Sequence, residues 1–226
     1  ISSHKRTLIQ QTKLLSSLSP DLIVWPEAST PYPVNLDRAW VEKLSADINI
    51  PILAGAIIRE EDLSYNSVVM INPRDGIQKE WYAKRTLVPF GEYVPFPFSF
   101  VPGLSRMVGP VGNFTAGKEA LSYDIKNDDN SSIKIYPLIC YEDIFPNLVR
   151  DIKTNSKSLL FVTTNDAWFG EEGCAEQHAA HSFLRALESG MPILRCGNAG
   201  WSGWISPNGV TRKVLLDENK GVYFKG

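Results

Sequence analysis

The chain has 226 residues, 23 basic against 25 acidic side chains, a formal net charge of −2 and 43% apolar residues. That is enough to bury a core in one domain, too ordinary a composition for disorder, and too neutral for a nucleic-acid footprint. Cys140, Cys174 and Cys196 are too few and too scattered for a disulfide framework or a zinc ribbon, and no apolar stretch reaches the ~20 residues that cross a bilayer.

In chain order, residues 4–18 carry Leu8, Leu15 and Leu18 among Lys and Gln, an amphipathic helix pattern closed by Ser19-Pro20. Leu22-Ile23-Val24-Trp25 reads as a buried strand stopped by Pro26. A second helix is predicted over 36–48 and a second buried strand from Pro51 to Ile58. Residues 65–72 and 77–84 read as two strands joined by the turn Pro73-Arg74-Asp75-Gly76. The stretch 85–118 is rich in Pro, Gly and Phe and has no sustained period, and so long a connection in a compact domain is usually functional. Strands at about 120–125 and 132–139 flank a polar turn with Asp128, Asp129 and Asn130. A helix is expected over 142–153, with Glu142 and Asp143 at the positive end of its dipole. Ser158 to Thr164 is a further strand. Residues 174–189 form a helix with Ala179, Phe183, Ala186 and Leu187 on one face, closed by Gly190 and Pro192. The chain ends with strands Ile193 to Cys196, Trp201 to Ile205 and Val210 to Leu216, the last two joined by Ser206-Pro207-Asn208-Gly209. Apolar runs alternating with amphipathic stretches predict an α/β architecture.

Four apolar runs each end in a reactive or polar residue: Glu27 after L-I-V-W-P, Lys84 after W-Y-A, Cys140 after Y-P-L-I, and Asn165-Asp166 after F-V-T-T. Sites in α/β sheets gather beyond the carboxyl ends of strands. A carboxylate, an ammonium and a thiol meeting there form a specific set: Glu takes the thiol proton, and Lys favours the thiolate and then stabilises an oxyanion. Cys140 falls between a strand and an expected helix, whose terminal N–H groups would lower the thiol pKa and leave the Tyr141 N–H facing a tetrahedral oxygen. Each residue also has an ordinary reading, as a small buried hydrophobe, a loop acid or a surface charge, and spacing alone leaves both readings open. His178 and His181 lack companions at metal-ligand spacing and read as helix residues for packing or solvent contact. There is no Gly-rich phosphate loop. No metal and no cofactor is expected.

The text around these residues resembles the nitrilase, or carbon–nitrogen hydrolase, superfamily. Its Glu-Lys-Cys triad is matched by Glu27 in P-D-L-I-V-W-P-E, Lys84 in Y-A-K-R and Cys140 in L-I-C-Y-E. Within that superfamily the chain is similar to the apolipoprotein N-acyltransferase family. The matching text is L-V-P-F-G-E-Y-V-P at 87–95, C-Y-E-D-I-F-P at 140–146, T-N-D-A-W-F-G at 164–170 and the helix–strand block at 184–195. The resemblance covers about residues 20–212.

It implies a nitrilase-like four-layer α-β-β-α sandwich with Glu27 as general base and Cys140 as the nucleophile. Lys84 and the Tyr141 N–H would hold the oxyanion, Glu92 and Glu142 would be supporting carboxylates, and Tyr93 and Trp168 would line the acyl or substrate pocket. The implied reaction moves a fatty acyl chain from a phospholipid, through a cysteine thioester, to the N-terminal amine of an S-diacylglyceryl-cysteine apolipoprotein. It would take place at the bacterial inner membrane, with this domain on the periplasmic side. Residues 93–108, with Tyr93, Phe96, Phe98, Phe100, Val101, Leu104 and Met107, are a candidate lid or membrane-contacting arm, or else pack on the domain's own body. The family's transmembrane helices and opening strand are missing from the text, so residues 1–226 read as a single nitrilase-like domain cut from a longer protein. A rival reading is a soluble amidase of the same superfamily, which shares the triad and uses water as acceptor. The phenylalanine-rich loop favours the acyltransferase. A non-catalytic binding domain is a second rival, and the intact triad argues against it.

Overall fold

The apolar runs assemble into two sheets laid face to face in a computed structural model, which describes residues 2–98, 113–126, 131–150, 152, 157–169, 174–217 and 221–224. The first sheet holds β1 (Ile23–Trp25), β2 (Ile52–Glu60), β3 (Leu63–Asn72), β4 (Gly76–Ile77) and β5 (Tyr82–Ala83). β1 runs parallel to β2, and the remaining pairs are antiparallel. The second sheet holds β6 (Tyr123–Lys126), β7 (Ser132–Ile139), β8 (Ser158–Asn165), β9 (Ile193–Asn198), β10 (Gly203–Ile205), β11 (Thr211–Asp217) and β12 (Gly221–Phe224). Its centre, β7–β8–β9, is parallel, with antiparallel strands on either flank. Helices α1 (Ser2–Ser16) and α2 (Ala39–Ile48) cover the first sheet; α3 (Asn147–Arg150) and α4 (Cys174–Ser189) cover the second.

Period-two alternation explains the layers, because successive strand side chains face opposite sides. Along β2, Ile52, Ala54, Ala56 and Ile58 join Val41 and Leu44 of α2, while Leu53 faces the other way. Leu53, Val68 and Met70 meet Ile135, Ile139 and Phe161 from the second sheet, forming the intersheet core. Leu138, Leu160 and Val162 turn outward to Ala186 and Val149 under the second helical layer. Strands buried on both faces need the near-continuous apolar runs seen in the sequence. Helix, sheet, sheet, helix is therefore the order of layers.

Several predicted boundaries move, each for a local reason. The expected strand at 77–84 is two short pieces, β4 and β5. Between the sheets, the Tyr123 hydroxyl accepts from the Tyr82 N–H (3.0 Å) and donates to the Val68 carbonyl (2.6 Å), replacing ladder bonds with a side chain. The helix expected over 142–153 is instead a 3₁₀ turn, Cys140–Ile144, followed by the four-residue α3. Phe145 is extended, as the residue before a proline prefers, and Pro146 has no N–H to continue a helix. Residues 151 and 153 of that expectation lie outside the described residues, as do Asp128, Asp129 and Asn130 of the predicted turn. On α4, Ala179 and Ala186 are buried as expected, but Leu187 is 46% exposed and the inner face also carries Ser182 and Arg185. Phe183 and Leu187 lie against Gly209, whose positive φ closes the β10–β11 turn and whose missing side chain makes room for the Phe183 ring. Among the described residues no helix is long and apolar enough to cross a membrane.

Candidate active site

Glu27 follows the end of β1 and enters the seam between the two sheets. The loop is tied down by Ser29, whose N–H and hydroxyl both donate to the Gly55 carbonyl at 2.8 Å. Gly55 is required there, since a Cβ would press into the Pro26 carbonyl, the Glu27 backbone and the Thr163 hydroxyl. The Glu27 carboxylate is 8% exposed. Oε1 accepts from Asn66 Nδ2 at 2.6 Å, and Oε2 accepts from the Asn165 N–H at 2.7 Å. The first sheet thus supplies the acid, and a strand end of the second sheet holds it.

Lys84 follows β5, its N–H bonded to the Asn66 carbonyl and its own carbonyl accepting from Gly117. The ammonium is 1% exposed, 2.8 Å from Glu92 Oε1 and 3.8 Å from Glu27 Oε1. Glu92 closes its own turn: Oε2 accepts from the Val88 N–H, while the Glu92 N–H donates to the Val88 carbonyl. Asn66 Nδ2 spans both acids, donating to Glu92 Oε1 at 3.1 Å as well as to Glu27. One amide and one ammonium therefore fix two carboxylates.

Cys140 directly follows β7 with φ of +52°, a left-handed conformation that costs a non-glycine residue energy and is found where surrounding structure enforces it. Glu142 supplies the enforcement. Its Oε2 accepts from the Ile139 N–H (2.8 Å) and the Tyr82 hydroxyl (2.7 Å), and its Oε1 from the Arg85 (2.6 Å) and Thr86 (3.1 Å) N–H groups. Rather than sitting at a helix dipole as expected, Glu142 is a fully buried clamp that binds the Cys140 turn to the segment following Lys84. The Tyr141 ring packs edge-on to Phe145.

Burial pushes the Cys140 thiol up to about 12; Glu27 adds to the rise and Lys84 opposes it. This corrects the expectation of a thiol lowered by helix-end N–H groups. The turn is a single 3₁₀ loop carrying two acids, and Glu27 is close by. The resting thiol is neutral. Burial also raises the Glu27 pKa, and Lys84 and Asn66 oppose that rise. Burial would discharge Lys84, but the Glu27 and Glu92 carboxylates outweigh it and hold the ammonium charged. The arrangement is a buried cation, a basic carboxylate and a protonated nucleophile.

Behind the Cys140 turn lies a second charged group that the sequence did not reveal. Arg195, mid-strand in β9, donates from Nη1 to Asp143 Oδ2 (2.6 Å) and to the Ser182 hydroxyl (2.8 Å). Its Nη2 is 3.6 Å from Asp166 Oδ2. His178 of α4 lies between the same two acids, Nδ1 2.8 Å from Asp166 Oδ1 and Nε2 3.2 Å from Asp143 Oδ1. Both carboxylates are held below the usual range: burial acts against this, but His178 and Arg195 prevail. Burial would also lower His178, yet the two acids raise it to about 9. The reading of His178 as packing or solvent contact is thereby replaced by a buried ionic role. The available signal was a charged residue inside the apolar run I-L-R-C, and likewise Asn66 inside the strand text Y-N-S-V-V-M.

Of the other expected residues, Tyr93 stands half-buried at the base of the Glu92 turn, its carbonyl accepting from the Phe90 N–H. Trp168 belongs to the 3₁₀ turn Asp166–Phe169, and its side chain lies outside the described residues. In the expected arm, Phe96 is 80% and Phe98 49% exposed, and Phe98 meets Phe90 edge-on; residues 99–108 lie outside the described residues.

The carbon–nitrogen hydrolase family model matches residues 7–224. An apolipoprotein N-acyltransferase of Rhizobium rhizogenes is 35% identical over 200 residues, covering 84% of this chain and 36% of the relative. Proteins of the same name from Shewanella oneidensis (30% identity, 89% of this chain, 41% of the relative) and Brucella suis (36%, 88%, 38%) are similar to a comparable extent. The chain thus spans about two-fifths of the length of these curated relatives. Among solved structures, an amidase from a Nesterenkonia species superposes with a TM-score of 0.68 at 15% identity, covering 99% of this chain and 82% of that one. A variant of that amidase carrying the acetamide moiety of fluoroacetamide on its active-site cysteine gives 0.69, also at 15% identity and with the same coverage. These structures share the fold.

Proposed function

The chain belongs to the carbon–nitrogen hydrolase family, and from that premise we propose that it is the acyl-transferring domain of an apolipoprotein N-acyltransferase. The supporting observation is the convergence of Glu27, Lys84 and Cys140 from three separate strand ends into one buried seam. The names of the relatives supply the substrate class. The acyl donor is a phospholipid and the acceptor a diacylglyceryl apolipoprotein. The reaction takes place at the bacterial inner membrane, with this domain on its periplasmic side.

Because the thiol is neutral at rest, its proton leaves as the bond forms. Cys140 Sγ attacks the ester carbonyl while Glu27 accepts the proton. The carbonyl oxygen becomes an oxyanion facing the Lys84 ammonium and the Tyr141 N–H. The intermediate collapses to a thioester, and Glu27 returns the proton to the departing alcohol, releasing a lysophospholipid. The lipoprotein's α-amine then attacks the thioester, Glu27 takes one amine proton, and Cys140 leaves as the thiol with that proton. Lys84 keeps its charge throughout, because Glu92 balances it whichever state Glu27 is in.

Intact-mass measurement tests the reading directly. Incubation of the native full-length protein with a phospholipid adds one acyl mass to Cys140, and a diacylglyceryl peptide with a free amine then removes it. An acyl mass on Cys174 or Cys196 instead would overturn the assignment. Turnover of small amides, with no acyl mass from phospholipid, would favour the hydrolase reading.

A further inference from the structure

We propose that His178 is a positioning residue for acyl transfer, its ring joining the turn that carries Cys140 to the turn that holds Glu27. The inference rests on the reading of Cys140 and Glu27 given above and adds a residue that neither touches substrate nor belongs to the triad. Asp143 lies three residues beyond Cys140 in the same 3₁₀ turn, with Glu142 between them. Asp166 directly follows Asn165, whose N–H binds Glu27 Oε2. The His178 ring reaches both acids from opposite nitrogens, at 3.2 and 2.8 Å. Asp166 is held in turn by the Thr164 hydroxyl, which donates to its Oδ1 at 2.8 Å.

Arg195 does not duplicate this link. Its close contacts are with Asp143 and Ser182, and it approaches Asp166 only to 3.6 Å. Two buried acids against two cations are balanced, whereas loss of the His178 charge leaves one carboxylate buried without compensation. The groups that face the ring from packed elements are Asp143 on the Cys140 turn, Asp166 on the following turn and Arg195 on β9. α3, which packs on α4, carries Arg150, and α4 itself carries Glu176, His181 and Arg185. Arg185 is engaged with Glu188 and with the Asp143 and Ile144 carbonyls.

The ring is charged up to about pH 9, so the connection holds at neutral pH and is released as pH rises through that value. Two measurements on the native full-length protein test this. In the first, NMR titration of the labelled His178 signal, assigned by its loss in a His178 variant, is set beside the rate of Cys140 acylation by a phospholipid at each pH. The expected result is a His178 signal that stays protonated beyond pH 8, with acylation falling as it deprotonates; a ring that titrates near 6.5 while acylation is unchanged overturns the inference. The second is His178→Gln, expected to acylate roughly tenfold to a hundredfold more slowly per folded molecule, as for a small misplacement of reacting groups, and to lose that alkaline limb. A variant that only unfolds more easily, with the parental rate and alkaline limb retained in its folded fraction, assigns His178 a purely structural role and overturns the inference. If the parent never gains acyl mass on Cys140, the reading of the site fails first. If the parent acylates and His178→Gln matches it in rate and pH profile, only the role of His178 fails.

Discussion

Two charged clusters flank the Cys140 turn, and they are balanced differently. In front, Glu27 and Glu92 share a single ammonium, Lys84, and burial keeps the Glu27 pKa raised. Behind, Asp143 and Asp166 face both Arg195 and His178, and their pKa values are lowered although they too are buried. Desolvation raises Glu27, Asp143 and Asp166 alike, and the two aspartates end up lowered because His178 and Arg195, with the Ser182 and Thr164 hydroxyls, outweigh it. In the proposed reaction, a base that must take and return a proton is thus left one charge short. A support that must never titrate at working pH is neutralised in full.

Breaking the front cluster has the largest effect. Cys140→Ser lowers acylation at least ~10³-fold, because the triad acts as a unit, while the far-UV circular dichroism of the fold is retained. Glu27→Gln follows, with a loss of about 10²–10⁴-fold typical of a removed general base, measured as the single-turnover rate of thioester formation. Lys84→Met costs about 10²–10³-fold in the same assay, and its pH profile sharpens the comparison. In the proposed mechanism Glu27 must be deprotonated to work, so activity is expected to fall as pH drops through its raised pKa. Removing Lys84 raises that pKa further and moves the acid limb to higher pH. An acid limb that stays in place in this variant would show that Glu27 is not the titrating base.

The rear cluster governs stability. The raised His178 pKa adds stability that is complete below about 6.5 and lost as pH rises through about 9, a contribution of about 3 kcal/mol. The lowered Asp143 and Asp166 work in the opposite sense, present above the ordinary carboxylate range and lost as acid protonates them. Thermal unfolding midpoints should therefore be highest at mildly acidic pH and decline into the alkaline range, with His178→Gln removing the alkaline decline. The smallest effect is expected from Cys196→Ala. Burial also pushes this thiol up to about 12, but no carboxylate or ammonium accompanies it, and acyl transfer should be unchanged.

That Glu27, Lys84 and Cys140 would meet was legible because each directly follows an apolar run, and strand ends are where α/β sites gather; their roles as a triad are the proposal made above. The α/β class was readable for the same reason, since strands buried on both faces leave unbroken apolar text. The four layers came from resemblance, because alternation shows that a strand has two buried faces without showing what covers them. Glu142 was noticed for its position and given the wrong physics. Its partners Arg85 and Thr86 lie more than fifty residues upstream, and nothing local announces them. His178 and Arg195 were harder still. A histidine on a helix and an arginine in a strand become one unit only when α4 is laid across β9, and side-chain pairing of that kind leaves no periodic trace.

Gly55 carries one last consequence. Its bare backbone lets Glu27 of the first sheet sit against Thr163 of the second, so the proposed base and nucleophile belong to different layers, and the reach from one to the other is set by how closely the sheets are stacked. The reaction then acts as a gauge of interlayer spacing. Side chains such as Leu53 and Phe161, fully buried between the layers, then work as shims beneath that chemistry, and a thicker or thinner shim is expected to slow the proposed reaction as well as weaken the fold.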